Sequence, residues 1–416
     1  MSAAASWPFV RLGDVITVHY GRALPKPKRA GGNILVFGSN GAVGAHDKAL
    51  TSGPTIVIGR KGSSGAVNSS SGACWPIDTT FYVDDPGPYS LGFLELVLRS
   101  LDLEHLDRST AIPGLSREQL YDLEVPLPPV GVQDSLARFV EQAEGHRSSS
   151  LSHLRMATTV IERLQLAVLA AGVSGRLTQR WREERPPRGR RPRLPGAPRP
   201  IAAPIDAPED WSWLTLGDVA ELQGGIQVGA TRRLGEPLRS VPYLRVANVQ
   251  KGRLDLSEMK TILAPEGTIR LLRLQPGDML FNEGGDRDKL GRGWIWEGQI
   301  AECIHQNHVF RGRLYDTRMQ PRFYSWYGNT IGMSYFFSEG KQTVNLASLS
   351  KTKLSQLPVP VPSIEEQAEI VRRVEGLMSL VEQLQGRVQA ATHQVERSSQ
   401  ALLAKSLRGE PAEVAV

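Results

Sequence analysis

The 416-residue sequence predicts an α+β protein built twice over: two globular bodies, each closed by a long helix, related by a pseudo-twofold. The first observation behind this is an apolar seam near the C-terminus. After the Pro-punctuated stretch from Leu357 to Pro362 there is no proline until Pro411, and Val374, Val381, Val388, Val395 and Leu402 recur every seven residues. Leu377, Leu384 and Ala391 follow three residues on, in a segment otherwise made of Glu, Gln, Arg and Ser. Such a stripe belongs to a helix that meets another helix. Ser363 reads as its N-cap, with Glu366 three residues later completing a capping box.

The second observation is an internal repeat. Shifting back by 234 residues sets Leu120, Leu123 and Gln133 under Leu354, Leu357 and Gln367, and Val140, Leu154, Ile161 and Val168 under Val374, Val388, Val395 and Leu402. The fronts match as well, WPFVRLGDV (Trp7 to Val15) against WSWLTLGDV (Trp211 to Val219), now at a shift of 204. A fixed entrance and a fixed exit thus bracket a variable body in each half. The boundaries that follow are a first body over 1–130, a long helix over 131–180, a linker over 181–208, a second body over 209–362 and a second long helix over 363–410.

In the first body VITVHYG, ILVFG and DTTFYVDD are strand candidates, and the glycines at 38, 41 and 44 are turn residues, since neither their spacing nor a following helix suits a phosphate cradle. The β-branched run from Thr55 delivers Arg60 and Lys61 into a Gly/Ser loop with Ser63, ending at Asn68. Cations beside small flexible residues at a strand end suit a phosphate or a guanine edge, with a plain basic hairpin tip as the alternative. Leu91 to Leu106 has the apolar spacing of an amphipathic helix. The first long helix is expected from about Val130 to about Val173, spanning roughly 65 Å at 1.5 Å per residue.

The net charge of +6 is concentrated in residues 180–199, where eight arginines face Glu183 and Glu184. The Arg/Pro run from Pro186 to Pro208 reads as a solvated linker stiffened toward polyproline II, with a sequence-blind nucleic-acid arm as the alternative. In the second body VPYLRVANV (Val241 to Val249) is a strand candidate, and Arg287, Lys289 and Arg292 near Asn282 form its most basic loop. Asn307 and His308, or Asn345 in GKQTVNL with Lys341, could contact bases, because amide side chains pair bidentately with adenine. Cys303, His305 and His308 raise a metal question, but no second paired spacing completes a zinc set, so no metal site is expected. The aromatics of RFYSWYG and MSYFF are expected in the core. Cys74 and Cys303 fall in different halves, so no disulfide framework is expected. With no 18-residue apolar run and no basic-then-apolar leader, the expected location is cytoplasmic.

The plan of LGDV entrance, variable body, VPLPP or VPVPS exit and long helix, occurring twice around a basic linker, resembles the specificity subunit of a type I restriction-modification system. The resemblance covers nearly the whole chain, on Leu12-Gly13-Asp14, Leu216-Gly217-Asp218, Gln133 and Gln367; Gly131-Val132 departs from it where the second half has Glu365-Glu366. It implies two target recognition domains, each reading one part of a bipartite double-stranded DNA target, on helices paired as an antiparallel coiled coil. It also implies two modification subunits that bind S-adenosylmethionine and methylate adenine, and restriction subunits that use ATP and Mg; this chain itself would bind no cofactor and catalyse nothing. The residues agree in lacking a Walker A motif, an Asp/Asn-Pro-Pro-aromatic segment and a PD…(D/E)xK set. A coiled-coil adaptor without DNA selectivity is the competing reading; it leaves the two variable bodies unexplained.

Overall fold

The computed structural model describes residues 7–106, 114–185, 189–229, 237–285, 290–342 and 347–408. The chain divides into two compact units, one of residues 1–156 with 388–416 and the other of residues 157–387. The two long helices, Val130–Val173 and Ile364–Arg408, each contribute to both.

In the first unit an antiparallel sheet runs in the order His19–Tyr20, Thr80–Val83, Thr55–Gly59, Val67–Ser70. A second sheet places Ile34–Gly38 between Gly41–His46, antiparallel, and Trp75–Pro76, parallel. Thr55–Gly59 is buried along its whole length, as its apolar, β-branched sequence TIVIG requires. The helix Leu91–Ser100, capped by Ser90, lays Phe93, Leu94, Val97 and Leu98 into the core. It stops short of the expected Leu106 because Asp102 takes a left-handed φ of 47°, after which Leu103–Leu106 forms a separate 3-10 turn.

The two main sheets of the second unit repeat this plan strand for strand, beside smaller strand pairs of its own. Its four-stranded antiparallel sheet is Ala220–Gln223, Val309–Leu314, Met279–Asn282, Gly293–Ile295. Its three-stranded sheet again has a central strand, Leu238–Leu244, antiparallel to one neighbour (Lys260–Pro265) and parallel to the other (Ile304–His305). The strand expected to reach Val249 ends at Leu244, because Asn248 turns the chain: its side chain accepts from Arg245 N and donates to the Asp255 and Glu258 carbonyls. The aromatic segment forms the helix Pro321–Asn329 and buries Phe323, Tyr324, Trp326 and Tyr327.

The matching sequences at the ends of each body pair with each other. Phe9–Arg11 lies antiparallel to Glu124–Pro126, and Ser212–Thr215 to Pro358–Val361. Directly after each entrance strand LGDV makes one helical turn, whose first amide donates to the exit segment: Leu12 N to Leu123 O and Leu216 N to Leu357 O, both 2.8 Å. Each body is therefore closed at its neck. The repeated glutamines then fix body to helix. Gln133 is buried; its Oε1 accepts Ser90 N (2.6 Å) and its Nε2 donates to the Pro88 and Pro128 carbonyls. Gln367 likewise accepts Gln320 N (3.0 Å) and donates to Pro362 O. In each unit the residue held is the N-cap of the body's own helix.

Within the second unit the end of the first long helix packs against the start of the second, so the two run antiparallel there. A Cβ on Gly172 would lie 2.6 Å from Val374 Cγ2, and Val168, Leu169 and Val173 share a core with Ile370, Val371 and Val374. Of the expected seam, Val140, Ile161, Val168, Val374 and Val381 are buried, while Leu154, Val388, Val395 and Leu402 are half-buried. Residues 164–173 carry no charge, and an 18-residue window of this helix reaches a mean hydropathy of 1.4, more apolar than the sequence reading expected.

Two expectations need correction. Ser363 does cap the second helix, accepting from Glu366 N at 3.2 Å, but the Glu366 carboxylate does not return to it. Instead it is buried and receives Thr178 Oγ1 (2.8 Å), Trp211 Nε1 (2.9 Å) and the Arg182 guanidinium. The described part of the linker is also not a free solvated tether. Arg190 pairs with Glu365, Arg193 N donates to Asp316 (2.7 Å), Ile201 N donates to Trp213 O (2.8 Å), and Leu194, Ile201 and Ile205 pack on the core of the second unit. The Arg318 guanidinium, aided by the Arg193 main-chain N–H, holds the Asp316 carboxyl well below the usual carboxylate range.

Candidate nucleic-acid interface

In the first unit the buried strand Thr55–Gly59 delivers Arg60 and Lys61 to the surface, as its sequence suggested. Three other segments converge there. Ser39, in the hairpin after Ile34–Gly38, donates through Oγ to Lys61 O (2.6 Å) and Thr79 O (2.7 Å). Leu115 N donates to Arg60 O (3.0 Å), and Gly114 bridges to Lys61. Asn68 sits half-buried on the neighbouring strand beside Gly41, whose φ of 107° closes the hairpin tip. Lys61 and Ser63 are exposed.

Around this loop cluster stands an aromatic–cationic array. The Arg60 guanidinium lies 5.4 Å from the Tyr20 ring centre and 5.9 Å from Phe81, and donates to Asp78 O at 2.7 Å. The Arg117 guanidinium lies 5.2 Å from Tyr20 and 5.9 Å from Tyr121. Tyr20 remains 49% exposed. Among the described residues neither arginine has a carboxylate within ion-pair distance, unlike Arg11, Arg99, Arg239 or Arg313. Cations stacked on an exposed ring and free of counter-charge form a surface suited to phosphates and base edges.

Sequence reasoning missed Tyr20 and Arg117. The repeat held a signal for the second: Arg117 follows Ser116 as Lys351 follows Ser350, and both serines cap a short helix.

In the second unit Asn282 is a correction. It is fully buried, and its amide donates to the Val246 and Val249 carbonyls, so it fastens the turn before Val249–Gln250 and has no path to a base. Arg292 is half-buried, beside the turn that carries exposed Lys251, since Gly252 N donates to Gly293 O. Asn307 is half-buried and touches the His308 ring (3.2 Å), which in turn meets Glu283 at 2.6 Å. Lys341 lies on the strand Lys341–Gln342, which pairs with Ala347–Ser348. Arg287, Lys289 and Asn345 lie outside the described residues. Cys303 and His305 belong to the core: burial pushes the thiol up to about 12 and the imidazole down to about 4, and His305 Nδ1 meets Val309 O at 2.6 Å.

The family model for the type I restriction modification DNA specificity domain matches residues 5–149. The chain is 27% identical over 304 residues to the type I restriction enzyme EcoBI specificity subunit of Escherichia coli, covering 73% of this chain and 61% of that protein. It is 25% identical over 348 residues to the EcoDI specificity subunit of the same species, covering 79% and 72%. The first body thus matches the type I restriction modification DNA specificity domain, and the chain is similar to type I specificity subunits over most of its length. It spans about three-fifths of the length of the EcoBI subunit. The fold of such subunits extends over the whole chain. The HsdS subunit from Thermoanaerobacter tengcongensis superposes with a TM-score of 0.57 at 17% identity, covering 98% of this chain and 97% of that one. A chain from a structure of type I R-M complex assembly and conformational transition gives 0.65 at 18% identity, with 98% of both covered. Tyr20, Arg60, Lys61, Asn68 and Arg117 all fall within the stretch matched by the specificity-domain model.

Proposed function

We propose that this specificity subunit reads a bipartite double-stranded DNA target, one short block per body, and directs adenine methylation or cleavage by partner subunits. The observation that carries the reading is the duplication itself. Two bodies share strand order, neck and glutamine fastening, yet differ in the loops that leave them. A scaffold kept twice with different surface loops suits a reader of two different sequences, since loops on a rigid frame carry recognition. Each block would be read at about 1–3 kcal/mol per base pair.

Catalysis, in this reading, belongs to modification subunits that bind S-adenosylmethionine and to restriction subunits that use ATP and Mg, with the target adenine turned out of the stack for methylation. An exposed apolar strip on the helix pair would serve such partners as a docking surface. Val160 (62% exposed) and Leu164 (43%) lie one turn apart on the first long helix, and Leu380 (55%) and Leu384 (41%) on the second. In the antiparallel register set by Gly172 against Val374, Leu384 falls within about two residues of the level of Val160, and Leu380 of Leu164, on the same side of the pair. An apolar strip of this kind marks an interaction site.

The test is to co-express the chain with the modification subunit encoded beside it and map modified adenines across the host genome. Two short specific blocks around a fixed unread gap are the expected result. Modification on one continuous motif that persists without this chain would instead favour a coiled-coil adaptor.

A further inference from the structure

We propose that Arg117 is a specificity-determining residue of the first body, reading a guanine with its two terminal guanidinium nitrogens, and that Tyr20 and Arg60 are positioning residues that hold it. The assignment rests on the DNA-reading function proposed above. The two arginines bracket one ring, at 5.4 Å and 5.2 Å from the centre of Tyr20, but their remaining contacts differ. Arg60 is tied down, its Nη2 donating to Asp78 O and its main chain hydrogen-bonded to Thr79 and Leu115. Its fork is therefore partly occupied. Arg117 shares with Arg60 a buried Nε without a partner, but among the described residues its Nη pair donates no hydrogen bond, and its guanidinium lies between Tyr20 and Tyr121.

Orientation decides between base and backbone. A phosphate is satisfied by a mobile point charge, and exposed Lys61 beside this array supplies one. Guanine O6 and N7 require two donors held in a plane, which a guanidinium lying over aromatic rings provides. Arg117 also opens its helix directly after the cap Ser116, whose Oγ accepts from Gln119 N at 3.1 Å. Exposed Lys351 occupies the same place in the second body, after Ser350. A cation at this corner is thus part of the repeated plan, and among the described residues a ring lies against it in the first body alone.

The experiment maps modified adenines in cells expressing the full chain with its modification subunit, as wild type and as Arg117→Lys, Arg117→Ala, Tyr20→Leu and Tyr20→Phe. Both Arg117 variants should lose preference at a single G·C position of one block, by roughly ten- to hundredfold, with the gap and the other block unchanged. Tyr20→Leu should broaden that same position, and Tyr20→Phe, which keeps the ring, should not. An unaltered motif in Arg117→Lys, or an even loss of modification at all sites with no position broadened, would overturn the assignment. A wild-type complex without a split motif would overturn the two-block reading itself, and the assignment with it.

Discussion

His305 is a neutral imidazole walled into the core of the second unit, with Nδ1 on Val309 O and Nε2 without a partner. Because its folded pKa is lowered from 6.5 to about 4, the unfolded chain takes up a proton between these values that the folded chain refuses. Stability is therefore fully present above about pH 6.5 and falls by about 3 kcal/mol as the pH drops to about 4. Thermal unfolding of the wild type and His305→Gln from pH 4 to 7.5 checks this; the variant should lose most of the slope over that interval. Glu366 is the other residue on which the second unit depends. Glu366→Ala leaves Arg182, Thr178 and the Trp211 indole facing an empty buried site, and should cost about 3–5 kcal/mol in denaturant unfolding. A loss below 1 kcal/mol would show that the carboxylate is dispensable.

Among the elements, the long helices meet closely because one of them presents a glycine. With Val374 Cγ2 2.6 Å from the position a Cβ would take, Gly172→Leu must push the helices apart, at about 1–3 kcal/mol. Val374→Ala should recover part of that loss in a double-mutant cycle, and additive effects would contradict the contact. The two glutamines link body to helix by the same device. Gln133→Ala and Gln367→Ala should each cost about 1–3 kcal/mol by orphaning buried partners, and each should raise amide exchange mainly at the start of its own body helix, Leu91–Ser100 or Pro321–Asn329.

For the molecule as a whole, the apolar strip on the helices separates assembly from folding. Val160→Asp with Leu380→Asp changes surface residues, so the thermal midpoint should move little while co-purification of the modification subunit is lost. Unaltered co-purification would place the partner elsewhere. The charge distribution points the same way. Most of the excess positive charge lies in the 180–199 segment, and part of it is already engaged by Glu366 and Glu365. The bodies are left near neutrality, as would suit the proposed reader if its partners supplied part of the phosphate contact.

The sequence by itself determined the features that are local or periodic. The heptad spacing and the absence of proline marked both long helices, and the β-branched run carried Arg60 and Lys61 to a strand end. The repeat identified LGDV, the exit segments and the paired glutamines, because backbone pairing at a neck and a buried amide leave the same residues in both halves. What only the tertiary structure decided involved partners far apart in the chain. That the two dissimilar bodies share one strand order could not be read, since sheet topology tolerates almost any alternation of apolar residues. Nor could the fates of Glu366 and Asn282: capping chemistry and polarity are local signals, whereas the groups that claimed these side chains lie between 33 and 188 residues away. Tyr20 and Arg117, 97 positions apart in the sequence, became one surface only when the neck closed the first body, which brings the start of its sheet against its exit.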